Sequence, residues 1–148
     1  MLPNKATLIC LTGAGLFLGL WLLVTLQADQ RALQRHFGQP LPHSISGVRY
    51  QSQDWFGLYP EPSYRLRFRA ASNEVAMLVA RLELKPAAPG SPEGTFRPGS
   101  VTGPEWWRFD SDGAEVEVFA REKGKRCIIE WFWWDRSSDT VYYYLSCP

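Results

Sequence analysis

Cysteine, arginine and aromatic side chains are the groups in this 148-residue chain whose types and spacing could do chemistry. Cys127 and Cys147 flank the segment Asp135–Asp139, which reads as a hairpin turn. With that turn centred on Ser137, the two cysteines stand directly opposite one another on neighbouring strands. Facing Cα atoms at a non-hydrogen-bonded site lie about 4.5 Å apart, a separation that a disulfide spans. Closing a loop of about 20 residues would stabilise the fold by roughly 3 kcal/mol. Disulfides persist in oxidising compartments, so a linked pair places the domain outside the cytosol. The other reading is two free thiols. A metal site would need His36 or His43 beside the cysteines. Both precede the strands, so neither a metal nor another cofactor is expected.

Arg65, Arg67 and Arg69 alternate with Tyr64, Leu66 and Phe68 in SYRLRFR, the period of a half-buried strand with its cations on one face. The Ser137-centred register sorts the remaining aromatics. Ile129, Trp131 and Trp133 share a face with Val141, Tyr143 and Leu145, joined by Val116 and Val118 and by Tyr64, Leu66 and Phe68. This is the expected helix-facing core. The opposite face then carries Ile128, Phe132, Trp134, Tyr142 and Tyr144. Phe119, the arginine row and Glu115, Glu117 and Glu130 fall beside them. An open sheet face so rich in rings would be a binding surface. Its candidate residues are Phe119, Phe132, Trp134, Tyr142, Tyr144, Arg65 and Arg67. Two alternatives compete: a lid made by the Pro86–Pro104 loop or by Trp106 and Trp107, and cross-strand pairing of the arginines with Glu115 and Glu117 in place of anion binding. The basic turn Arg121–Arg126 (REKGKR) reads as a solvated hairpin tip, with anionic headgroups or peptidoglycan as the alternative contact.

Catalytic patterns are missing. The chain has no G-x-S-x-G, H-E-x-x-H, Walker loop or G-x-G-x-x-G. Neither histidine lies within the strand-rich region, so a serine or cysteine nucleophile there has no histidine base. Asp110 and Asp112 sit in FDSDG, where solvated turn carboxylates are the default. No catalytic residue is expected, and a carboxylate-dependent hydrolase is the least favoured reading.

SYRLRFRAASNEVAMLVARLEL together with WFWWDRSSDTVYYY resembles small bacterial proteins with one N-terminal anchor. In these a strand–helix unit is followed by an aromatic strand, a turn and a last strand. The resemblance spans about half of the chain; it implies a bacterial inner-membrane location and transfers no activity and no site residue.

The elements that must position these groups begin with an apolar run. No residue from Ala6 to Ala28 is charged. Its 23 residues make about 35 Å of helix, and a bilayer core needs about 20 such residues. The run is longer than the core of a signal peptide and lacks a small-x-small cleavage site, so an uncleaved anchor is expected. Cys10 reads as a small apolar residue within it. Gly15 and Gly19 form a G-x-x-x-G that could pair two such helices as a homodimer. Lys5 on one side and Arg31 and Arg35 on the other leave the positive-inside comparison nearly balanced.

Beyond residue 37 the chain carries 13 Lys/Arg and 14 Asp/Glu. That balance excludes a polybasic nucleic-acid binder. With 45% hydrophobic residues overall, the chain is not a disordered tail. Gln27–Phe37 continues as helix, with Gly38 as its stop and Pro40 beyond. Strands are expected at Val48–Ser52, Ser63–Arg69, Ala114–Arg121, Arg126–Trp134 and Thr140–Cys147. Ala71–Lys85 takes helical period, with Ser72 as N-cap and Pro86 as its end.

The expected fold class is α+β: an N-terminal transmembrane helix, then an antiparallel sheet with one helix packed on a face. The expected organisation is a flank over residues 1–5, the membrane helix over 6–28, a juxtamembrane helix and linker over 29–44, and an extracytoplasmic domain over 45–148. The function expected is a membrane-anchored interaction domain within an envelope complex, with a protein partner. A ligand- or glycan-binding domain using the aromatic face is the alternative.

Overall fold

The computed structural model describes residues 5–53, 63–88, 103–108, 115–121 and 129–146, without the side chains of residues 5–18, 22, 26 and 129. Its elements are α1 (Lys5–Phe37), β1 (Ser46–Ser52), β2 (Ser63–Arg69), α2 (Ser72–Arg81), β3 (Lys85–Pro86), a 3₁₀ turn (Glu105–Trp107), β4 (Val116–Arg121), β5 (Ile129–Asp135) and β6 (Thr140–Ser146). The six strands form one sheet in the order β1-β2-β6-β5-β4-β3, and every pairing is antiparallel. The class is therefore α+β. The alternating strands fall where the period of two places them. The two-residue β3 is additional: it is too short to show a period, and it exists because Lys85 and Pro86 pair with Ala120 and Phe119.

α2 starts one residue after its N-cap, Ala71, whose N–H is accepted by the Glu74 carboxylate at 3.0 Å. Ser44 donates to the same carboxylate, tying the connection after α1 to the start of α2. The helix stops at Arg81, five residues before Pro86. Glu83 takes a left-handed φ of 55°, and the N–H of Leu84 reaches back to the Val79 carbonyl at 3.1 Å. That closure satisfies the last carbonyls without a glycine, so the turn and not the proline ends the helix.

The last turns of α1 are part of the core. Ala32, Leu33 and Phe37 are buried with Leu66, Phe68, Phe132, Val141 and Tyr143 of the sheet and with Val75, Leu78 and Leu82 of α2 or just beyond it. Both helices thus pack on one sheet face. Gly38, at φ +74°, closes α1 by donating to the Gln34 carbonyl at 2.8 Å, as its position after Phe37 suggests. The segment expected to stand off as a juxtamembrane stalk is instead seated under the sheet. Further back, Leu20, Trp21, Leu23 and Val24 are each about 60% exposed. Among the described residues no helix is long and apolar enough to cross a membrane. Only the last part of the uncharged run falls among the described side chains.

The β5–β6 register differs from the expectation by one residue. Asp135 faces Thr140, Phe132 faces Tyr143 and Trp131 faces Tyr144. The hairpin is therefore centred between Ser137 and Ser138. Asp135 sets this: its carboxylate accepts from the Ser137 N–H at 2.9 Å and from the hydroxyls of Ser137 and Ser138 at 2.6 and 2.7 Å. Asp139 takes a φ of 51°. Asp135 thus belongs to the strand and the loop has four residues. A slip of one residue turns every β5 side chain to the other face relative to β6.

Candidate functional site

The register separates the seven candidate binding residues. Phe132 and Trp134 are buried on the helix side, and Phe119 packs against that core. Tyr142, Tyr144, Arg65 and Arg67 lie on the other side. Trp131 and Trp133, expected under the helices, join them there, with Val116 and Val118 packed against the same cluster. The seven residues are not one surface.

The helixless side is built as two cross-strand rows. Arg65 lies over the Tyr144 ring at 5.6 Å, and Tyr144 stacks on Trp131 at 5.6 Å. In the next row Arg67 lies over Tyr142 at 5.6 Å, beside Trp133 on β5. Trp107, only 1% exposed, stands edge-on to both Trp133 and Tyr142 at 6.2 and 5.7 Å. The Tyr142 hydroxyl donates to the Arg108 carbonyl at 3.2 Å, holding the 3₁₀ turn down. The lid alternative is thus realised by Trp107, and the open aromatic face is not found among the described residues. Most of the Pro86–Pro104 loop, with Ile128, Asp110, Asp112 and the Glu122–Arg126 turn, lies outside them.

The arginines do not pair with Glu115 and Glu117. β2 lies between β1 and β6, so β4 is two strands further on, and Glu117 sits on the helix side bridging Arg136. Glu130, expected on the open face, is fully buried on the helix side. Arg121 holds one of its oxygens through Nε and Nη2 at 3.2 and 3.0 Å, and the Tyr143 hydroxyl donates to the other at 2.6 Å. Burial and then Glu130 push the Tyr143 phenol far above its usual range. His36, read in the sequence as outside the domain, packs its ring 5.8 Å from that of Tyr143 and 5.1 Å from Tyr64. Sequence reasoning missed this cluster because the expected β5–β6 register put Glu130 and Tyr143 on opposite faces, and because it began the domain only after α1, leaving His36 out. Glu130 and Tyr143 are enclosed, while the Arg121 side chain is 26% exposed and also bridges the exposed Glu83 at 3.4 Å; the chemistry is a buried carboxylate neutralised by a cation at the rim. Among the described residues no group of three potential ligands could hold a metal ion.

An accessible concavity does exist on the helix side. A groove of about 530 Å³ runs between α2 and the β4–β5 edge, lined by Val75, Ala76, Val79, Phe119 and Trp134, with Ser72, Asn73, Glu117 and Arg136 among its polar borders. Arg136 lies over the Trp134 ring at 5.0 Å and bridges Glu117, so the ion pair closes one end of an apolar floor. Two candidates from the sequence, Phe119 and Trp134, meet here.

Cys127 and Cys147 lie outside the described residues, as does the side chain of Cys10. The described pairing of β5 with β6 is one residue out of step with the register that set the two cysteines face to face. Gly19 has open space around it, and Gly15 has no described surroundings. No family model, no curated protein and no solved structure matches this chain.

Proposed function

We propose that the chain is a single-pass membrane protein whose α+β domain is seated directly on its anchor and offers the α2–β4–β5 groove to an apolar segment of a protein partner. The observation that carries this reading is the contrast along α1. Leu20, Trp21, Leu23 and Val24 form one broad apolar side of the helix and all are exposed, while Leu33 and Phe37 further along are buried in the core. Among the described residues nothing else packs on this broad apolar side, and lipid would cover it. The uncharged run upstream supplies the rest of a span. The groove favours a protein partner because its floor is apolar and rimmed by polar groups, the anatomy of an interface centre. A small apolar ligand is the second reading, since the groove volume lies within the usual range for such sites.

We place the domain outside the cytosol, at the bacterial inner membrane. The support is the expected Cys127–Cys147 disulfide, and reporter fusions after Pro148 test it: exported phosphatase activity is expected, and cytosolic fluorescence reverses the orientation. The partner is tested by a photocrosslinking residue at Ala80 in native membranes. A discrete adduct is expected there and not at Glu105, on the other side of the sheet. Ala76→Asp, which puts a charge on the groove wall, removes it. Equal adducts at both positions, or an adduct indifferent to Ala76→Asp, refutes the groove as the interface.

A further inference from the structure

The arginine row has lost its expected counter-charges, and its position says what could replace them. Arg49 on β1 faces Arg67 on β2 directly, and Arg69 lies two residues along the same strand face. Like charges facing across strands destabilise a sheet. Among the described residues no carboxylate forms a salt bridge with any of these three. Arg65, in the same row, is 1% exposed, and its Nε and Nη1 have no hydrogen-bond partner. An enclosed guanidinium adds positive potential that water screens weakly. Asp135, the nearest carboxylate along the Arg69–Thr140 row, spends its oxygens on Ser137 and Ser138.

The row also has an address. Asp29 immediately follows the last residue of the uncharged run. It sits at β1, where the Tyr50 backbone N–H hydrogen-bonds to it and Arg49 attracts it. Arg49 therefore lies where α1 leaves the apolar stretch, with Arg67 one strand further in.

We infer that Arg49, Arg67 and Arg69 form a site for the phosphate of an anionic lipid headgroup at the membrane boundary. The inference rests on the reading of α1 as a membrane anchor. Of the three, Asp29 acts on Arg49 alone; the phosphate supplies the further negative charge that three arginines call for, and guanidinium forks suit its oxygens. Headgroups are favoured over free phosphate because Arg49, at one end of the row, lies beside Asp29 at the end of the apolar stretch.

The test uses the full chain in detergent, incubated with equimolar phosphatidylglycerol and phosphatidylcholine, with retained lipid read by native mass spectrometry. Phosphatidylglycerol is expected to be retained preferentially. Arg49→Gln and Arg69→Gln, both at exposed positions that leave the fold intact, should each lower that preference by about fivefold. Arg67→Lys, which keeps the charge, should preserve most of it. Equal retention of the two lipids, or an unchanged preference in the Arg49→Gln/Arg69→Gln double variant, overturns the site. Displacement of phosphatidylglycerol by orthophosphate at equal concentration overturns the headgroup in favour of free phosphate. Alkaline carbonate extraction of native membranes tests the anchor separately: release of the chain sinks the anchor reading, whatever the lipid preference.

Discussion

Arg81, in the last turn of α2, donates through one guanidinium nitrogen to the carbonyls of Phe37 and Pro40, at 3.1 and 3.0 Å. A cation from the second helix thus satisfies a backbone carbonyl at the end of the first, where the helix dipole is negative. The bond makes α1 and α2 one support under the sheet. It also fixes where a folding unit must begin.

Phe37 is 1% exposed, with its ring 5.4 Å from Phe68 and 4.8 Å from Tyr143. Phe37→Ala is expected to cost about 3–5 kcal/mol through the cavity it leaves. A fragment starting at residue 45 lacks Leu33 and Phe37 and should show no cooperative thermal transition. One starting at Asp29 should show one. Equal transitions in the two fragments would refute the claim that the helix end belongs to the core.

Trp133 and Trp134 test the register. They point to opposite faces, yet they are 0% and 7% exposed, one under Trp107 and one under α2. Each substitution to Ala should therefore cost about 3–5 kcal/mol in chemical denaturation. A sheet with one open face would make one of the two substitutions cheap.

The period of two in SYRLRFR and VYYYL was legible, and it put Leu66, Phe68, Val141 and Tyr143 on the correct face. The phase between β5 and β6 was not, because it depends on whether the Asp135 carboxylate bonds its own turn. A run such as WFWW is apolar on both faces and gives no phase of its own. The groove was half legible: Phe119 and Trp134 were candidates, but on a face assigned through the wrong register. Glu130 was misplaced for the same reason. His36 and Phe37 were set outside the domain because a helix continuing from an apolar run reads the same whether it ends in water or under a sheet.

The pH dependence has two limbs. Burial pushes the Asp135 carboxyl up, but the hydrogen bonds from Ser137 and Ser138 outweigh it and hold its pKa below the usual carboxylate value. A depressed carboxylate contributes stability above its unfolded value of about 3.9, lost as pH falls through the folded value. Ser137→Ala should flatten this acid limb and cost about 0.5–1.5 kcal/mol at neutral pH. Tyr143 has the opposite sign: its raised phenol contributes stability below about pH 10 that is lost as pH rises further. Tyr143→Phe should remove that alkaline loss, at the expense of an unpaired Glu130 oxygen. Unfolding midpoints across pH, compared between variants, check both limbs.

The cysteines test the proposed placement of the domain outside the cytosol. Non-reducing peptide mapping of protein taken from membranes, with thiols blocked at lysis, is expected to find the Cys127 and Cys147 peptides linked. Linkage would mean that the chain beyond β5 and β6 departs from the described ladder, since that ladder is one residue out of step with facing cysteines. Cys147→Ala should then lower stability by about 2–5 kcal/mol. It should do so only in protein prepared without reductant, because a merely packed thiol is indifferent to redox state. Two alkylated thiols would remove the support for an exported domain. The basic residues on the domain side of the proposed anchor, Arg31 and Arg35, would then place it in the cytosol by the positive-inside bias.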